Sequence, residues 1–180
     1  MKNTNNNIAN IYNRYVDDLF TYASYLGFPK ETTMDAIHDV FCKLAADERV
    51  LNQVSNIKSY LFRSLRNRLY DIYRTQKYNF NLSDMENMDE PPFNINVSIE
   101  DDLIDAEERA DIRKQIENML QSLTARQREI VYLRYIQEYD YPQIADILNI
   151  SIHGCRKLLS KAMETLREKY GSCIILLLLP

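Results

Sequence analysis

Residues 139–151 read Tyr-Asp-Tyr-Pro-Gln-Ile-Ala-Asp-Ile-Leu-Asn-Ile-Ser. Asp140 is placed to cap a helix that tolerates Pro142 in its first turn and buries Ile144, Ala145, Ile147 and Leu148. Asn149 can take the left-handed conformation that ends such a helix, and Ser151 can cap the next one. In that next helix Cys155, Leu158, Leu159, Ala162, Met163 and Leu166 form the inner stripe, leaving His153, Arg156, Lys157, Ser160 and Lys161 outward. A short helix with an alanine at its packing contact, a tight turn, and a second helix bearing donors on its exposed N-terminal half describe a helix-turn-helix. The second helix would enter a DNA major groove, where Arg156 and Lys157 suit guanine O6 and N7 or a phosphate. An unrelated helical hairpin with a basic solvated face would show the same pattern.

Upstream, a helix from roughly Asp105 to Gln121 carries Ala106, Ile112, Ile116, Met119 and Leu120 at helical spacing. Thr124 with Gln127 three residues on is a capping box, and the helix it opens, about Ala125 to Ile136, carries Ile130, Val131, Leu133 and Tyr135.

Further back, Ile8 to Leu26 reads as one amphipathic helix, with Ile8, Ile11, Tyr12, Tyr15, Leu19, Tyr22, Ala23 and Leu26 on its inner face; Gly27-Phe28-Pro29 stops it. A second helix is expected from Thr32 or Thr33, with Met34, Ile37, Phe41 and Leu44 inward. Asp35, His38, Asp39 and Cys42 then lie on other faces, either simply solvated or forming a docking surface. A third helix, about Ile57 to Lys77, turns Leu61, Leu65, Leu69 and Ile72 to the core. By helical arithmetic Arg63, Arg66, Asn67, Tyr70, Arg74 and Lys77 fall opposite. Guanidinium groups there could hold phosphates, and Tyr60, Phe62, Tyr70 and Tyr73 could stack an unpaired base or could pack in the core.

Charge is segregated along the 180 residues, although the net value is only −4. Residues 56–77 hold six bases and one acid, whereas 78–108 hold no base and ten acids. The acidic stretch, with Pro91-Pro92 among Asn, Ser and Asp, has the composition of a solvated linker. An all-α chain follows: two small helical domains, 8–78 and 105–170, joined by an acidic flexible linker, 79–104. A hydrophobic tail, 171–180, either folds onto the second domain or offers a sticky contact. Each core is modest, on the order of 5 kcal/mol or less.

Several function classes drop out. Three glycines, Gly27, Gly154 and Gly171, lie too far apart to write a dinucleotide or P-loop fingerprint. Cys42, Cys155 and Cys173 have no zinc-ligand spacing and suit a reduced compartment. His38 and Cys42 amount to half a metal site, without the further ligands that catalysis needs. The expectation is a non-enzyme with no metal, cofactor or small-molecule substrate. The Asn-rich start lacks a secretory core, so the cytoplasm is the expected location.

The 139–151 stretch with Arg156-Lys157 and Lys161-Ala162 resembles the DNA-binding domain of bacterial RNA polymerase sigma factors. Asp35-Ala36-Ile37-His38-Asp39-Val40-Phe41, then Asn56-Ile57-Lys58-Ser59-Tyr60-Leu61-Phe62-Arg63 and Arg66-Asn67, resembles their other domain. The order and spacing are similar to the two-domain extracytoplasmic-function (ECF) class of the sigma-70 family over about residues 8 to 170. That resemblance implies a region-two-like domain and a region-four-like domain, and a role in transcription initiation. Asp35, His38 and Asp39 would bind the β′ clamp helices of polymerase core, His38 standing where the family usually has glutamine. The cationic helix and the Asn52–Asn56 loop would open and read the minus-ten element, with Asn67 near a flipped-out base. His153, Arg156, Lys157, Ser160 and Lys161 would read the minus-thirty-five element. The implied partners are polymerase core, including its β flap, promoter DNA, and an anti-sigma factor that is free or membrane-tethered. The competing reading is a stand-alone helix-turn-helix regulator with an N-terminal sensing or dimerising domain.

Overall fold

The computed structural model describes residues 2–46, 54, 56–79, 91–95 and 106–171, with side chains from 8, up to 76 in the third helix, and from 110 in the fourth. Seven α-helices and no strand occur among the described residues. The chain divides into two compact units, one of 1–92 with 146–148 and the other of 93–145 and 149–180; the helix that contains 146–148 begins in the second and is described with it.

The first unit is a three-helix bundle of α1 (Lys2–Tyr25), α2 (Lys30–Ala46) and α3 (Ile57–Asn79). The chain leaves α1 through Gly27, whose φ of +80° suits a residue without Cβ. α2 starts at Lys30, ahead of the expected threonines, because the Pro29 carbonyl accepts the first helical bond from Thr33 N–H at 2.9 Å. Proline in this place forfeits no donor the helix needs. Asn56 opens α3, its Oδ1 accepting from Ser59 N–H at 3.0 Å.

Leu19, Tyr22, Ala23 and Leu26 of α1 are buried, as are Ala36, Ile37, Val40, Phe41 and Leu44 of α2 and Leu61, Phe62, Leu65 and Leu69 of α3. Tyr12 meets Phe41 edge-on with ring centroids 5.0 Å apart, and Tyr22 meets Phe62 at 5.2 Å. α3 packs on both α1 and α2, so it buries a broader arc than one leucine stripe. Phe62 is therefore a core residue.

The second unit holds α4 (Ala106–Gln121), α5 (Ala125–Val131), α6 (Tyr141–Leu148) and α7 (Ile152–Tyr170). Thr124 and Gln127 form the capping box read from the sequence, each side chain bonding the other's backbone N–H. Asp140 and Gln143 repeat the device at α6, at 2.8 and 2.9 Å. Asn149 takes φ +53°, and Ser151 Oγ accepts from Gly154 N–H at 3.0 Å. Cys155, Leu159, Ala162 and Leu166 form the buried stripe of α7.

Two features depart from the expectation. The helix expected to run regularly to Ile136 changes to π geometry over Tyr132–Ile136, with Gln137 N–H reaching back to the Tyr132 carbonyl at 3.0 Å. The solvated-linker reading also fails at Phe93. Its ring is 1% exposed and lies 5.6 Å from that of Tyr132. Arg128 fixes the backbone beside it, donating to the carbonyls of Phe93, Leu120 and Leu123 and, at 3.4 Å, to Asn94 Oδ1. The same guanidinium thus adds a bond to the Leu120 carbonyl in the last turn of α4, which also accepts from Leu123 N–H at 3.1 Å, and one to the Leu123 carbonyl just beyond that helix. Burial pulls the Arg128 pKa below its ordinary value. Of 79–104 only Asn79 and residues 91–95 are among the described residues, and the tail past Gly171 lies outside them.

Candidate nucleic-acid and polymerase interface

α2 presents Asp35, His38 and Cys42 to solvent, and Asp39 is half-buried. The one-turn spacing brings His38 Nε2 to 3.3 Å from Cys42 Sγ. Asp39 points across to α3, where its Oδ2 accepts from Arg68 Nε at 2.9 Å and lies 2.8 Å from Arg68 Nη2. Helical arithmetic sets Arg68 beside Leu61, on the core side, so the sequence reading left it out; its long side chain carries the charge out to Asp39.

On α3, Arg63, Asn67 and Arg74 are exposed as expected, with Arg74 3.6 Å from Asp71. Arg66 and Tyr70 are not: they are 6% and 7% exposed, correcting their assignment to the outer face. Arg66 Nη2 donates to Tyr70 Oη at 2.8 Å, and its guanidinium lies 4.0 Å from the Tyr70 ring centroid. About 40° of helical rotation separates Arg66 from the wholly buried Phe62, so the widened core arc reaches this pair. The Lys77 side chain lies outside the described residues, and of the Asn52–Asn56 loop only Val54 and Asn56 lie within them.

Between α2 and α3 opens a cavity of about 250 Å³ lined by Asp39, Val40, Lys43, Tyr60, Ser64, Asn67, Arg68 and Asp71. Charges of both signs, an amide and a phenol therefore face one recess large enough for a planar base.

On α7, His153, Arg156, Lys157, Ser160 and Lys161 are all exposed, across the helix from its buried stripe. Burial raises the Cys155 thiol pKa, the neighbouring Arg134 and Arg156 charges opposing it. Tyr141, at the start of α6, has two guanidinium neighbours, Arg134 at 5.3 Å and Arg156 at 5.4 Å from its ring centroid. The sequence reading passed over Tyr141, because nothing local in the chain ties it to a residue fifteen positions on.

Among the described residues no three His, Cys, Asp or Glu side chains gather as a metal site, and no helix is long and apolar enough to cross a membrane.

Residues 11–78 match sigma-70 region 2 and residues 113–166 match sigma-70 region 4. The chain is 25% identical over 167 residues to the RNA polymerase sigma factor SigZ of Bacillus subtilis (strain 168), covering 93% of this chain and 89% of that protein. It is 22% identical over 170 residues to the ECF RNA polymerase sigma factor SigM of the same organism, covering 91% and 95%. Among solved structures, the sigma factor RpoE in complex with the anti-sigma factor NepR from Bartonella quintana superposes with a TM-score of 0.62 at 22% identity, covering 90% of this chain and 95% of that one. CnrH in complex with the cytosolic domain of CnrY gives 0.52 at 17%, covering 89% and 85%.

A helical bundle followed by a helix-turn-helix unit, matching regions 2 and 4 in that order, places the chain in the sigma-70 family. Within it the chain is an RNA polymerase sigma factor of the ECF type, a transcription initiation factor that binds polymerase core and promoter DNA.

Proposed function

We propose a division of labour between the two units. Residues 8–78 bind core polymerase and handle the minus-ten element, residues 105–170 read the minus-thirty-five element, and the acidic 79–104 segment joins them. Asp35, His38 and Asp39 on α2 meet the β′ clamp helices, and the second unit meets the β flap. Arg63, Asn67 and Arg74, with Lys77, follow the opened strand, their cations on phosphates. Extruding a base costs a few kcal/mol, which a polar recess beside Asn67 and Tyr60 can offset. Arg66 and Tyr70 are assigned no direct contact, since each is turned onto the other.

α7 then enters the major groove, with His153, Arg156, Lys157, Ser160 and Lys161 at base edges and phosphates. The observation that carries this reading is the exposure of all five α7 residues on the face opposite the buried stripe. No covalent step is assigned to any residue. The complexes of RpoE with NepR and CnrH with CnrY support an anti-sigma partner here as well. The cytoplasm, where polymerase works, is the proposed location.

Reconstitution with core polymerase tests the proposal. Specific initiation is expected on a duplex promoter, with Arg156→Ala lowering it about 5- to 100-fold and leaving core association unchanged. Sequence-specific duplex binding by the chain alone, with no initiation alongside core, would instead identify a stand-alone regulator.

A further inference from the structure

Arg156 is an exposed arginine on the second turn of α7, and such a side chain loses rotamer freedom when a ligand fixes it. The local structure supplies a means of fixing it beforehand. The Arg156 guanidinium lies 5.4 Å from the centroid of the Tyr141 ring, within the roughly 6 Å over which an aromatic face attracts a cation. Tyr141 is itself held in place. The backbone of its helix is locked by the Asp140–Gln143 capping pair, and the α6-to-α7 turn by Asn149 and the Ser151 cap. A second guanidinium, Arg134, lies 5.3 Å from the same ring centroid and is anchored by Nη1 donating to the Tyr139 carbonyl at 2.9 Å.

Arg134 reaches that place from the π-helical turn at Tyr132–Ile136. Such a turn departs from the regular helical register and occurs often at functional positions. It costs backbone regularity and places an anchored cation on Tyr141.

We propose that Tyr141 is a positioning residue for promoter reading: its ring holds the Arg156 guanidinium in the orientation that meets the minus-thirty-five element. This rests on the assignment of α7 to that element. Tyr141 acts through Arg156, so an aromatic ring is needed at this position and the phenol hydroxyl is not.

The test uses holoenzyme on two promoters that differ only at the minus-thirty-five base pair whose preference Arg156→Ala abolishes. Tyr141→Phe is expected to keep the native preference within about twofold. Tyr141→Leu is expected to lower it about three- to tenfold, the range of a cation–ring contact. In affinity for the preferred promoter, Tyr141→Leu added to Arg156→Ala should cause no further loss, because the two residues act as one. If Arg156→Ala leaves every minus-thirty-five preference intact, the assignment of α7 fails. If Arg156→Ala abolishes a preference while Tyr141→Leu leaves it unchanged, or the two effects multiply, the positioning role fails and the assignment stands.

A measurement on the unaltered protein applies even if Tyr141→Leu unfolds the helix pair. ¹⁵N relaxation of arginine Nε–Hε should find Arg156 more ordered than Arg167, another exposed arginine of the same helix. Equal mobility of the two would overturn the proposal.

Discussion

Replacing Asp39 with arginine should weaken binding of the protein to core polymerase by about 30-fold or more, without loss of helix content. A charged residue truncated at an interface costs about 2–5 kcal/mol, and a reversed sign adds repulsion. The prediction has a structural complication, since Asp39 already accepts two guanidinium nitrogens of Arg68. Loss of core binding could then report a disturbed α2–α3 pair instead of a lost contact. With side chains 44% and 42% exposed, that pair contributes only about 0–1 kcal/mol, so the fold should survive its removal. Combining Asp39→Arg with Arg68→Asp separates the two explanations, because the swapped pair restores the local attraction. Core binding measured by fluorescence anisotropy should stay lost in the double variant if Asp39 touches polymerase. Recovery would make Asp39 no more than the partner of Arg68.

Phe93→Ala should destabilise the second unit by about 3–5 kcal/mol, the usual range for emptying a buried phenylalanine site. The unit is small and its whole stability is expected to be of similar size, so most of its cooperative structure is at stake. Two features account for the size of the effect, the ring's burial and its packing on Tyr132, since alanine keeps the backbone carbonyl that Arg128 bonds. Hydrogen exchange on the full chain reads the loss locally, at amides of α5 and α7, with amides of α3 as an internal control. A drop in protection confined to the second unit is expected. A change below about 1 kcal/mol would mean that the segment merely rests on a domain complete without it.

The parts of the fold written in short stretches of sequence were readable in advance. Thr124 with Gln127, Asp140, Asn149 and Ser151 each act within three or four residues, and each does what its side-chain chemistry dictates; the part Gln143 plays in answering Asp140 was not read. The exposed face of α7 followed from the same local periodicity. What escaped was non-local. Arg66 and Tyr70 sit at the margin of a stripe whose width depends on how many helices press on α3. The Asp39–Arg68 pair joins positions 29 apart on different helices. Phe93 sits between Pro92 and Asn94 in a segment whose ten acids dominate its composition, and averaging hid it. Irregular backbone over Tyr132–Ile136 has no signature in residues that favour an ordinary helix.

The central claim is that two separate basic surfaces, one on each unit, read different promoter elements. Photo-cross-linking from a holoenzyme–promoter complex tests it most directly, with the reactive side chain introduced singly at Asn67 and at Ser160. Position 67 should cross-link to the non-template strand of the minus-ten element, and position 160 to duplex at the minus-thirty-five element. Cross-links from both positions to one element, or from position 67 only to polymerase, would contradict the account.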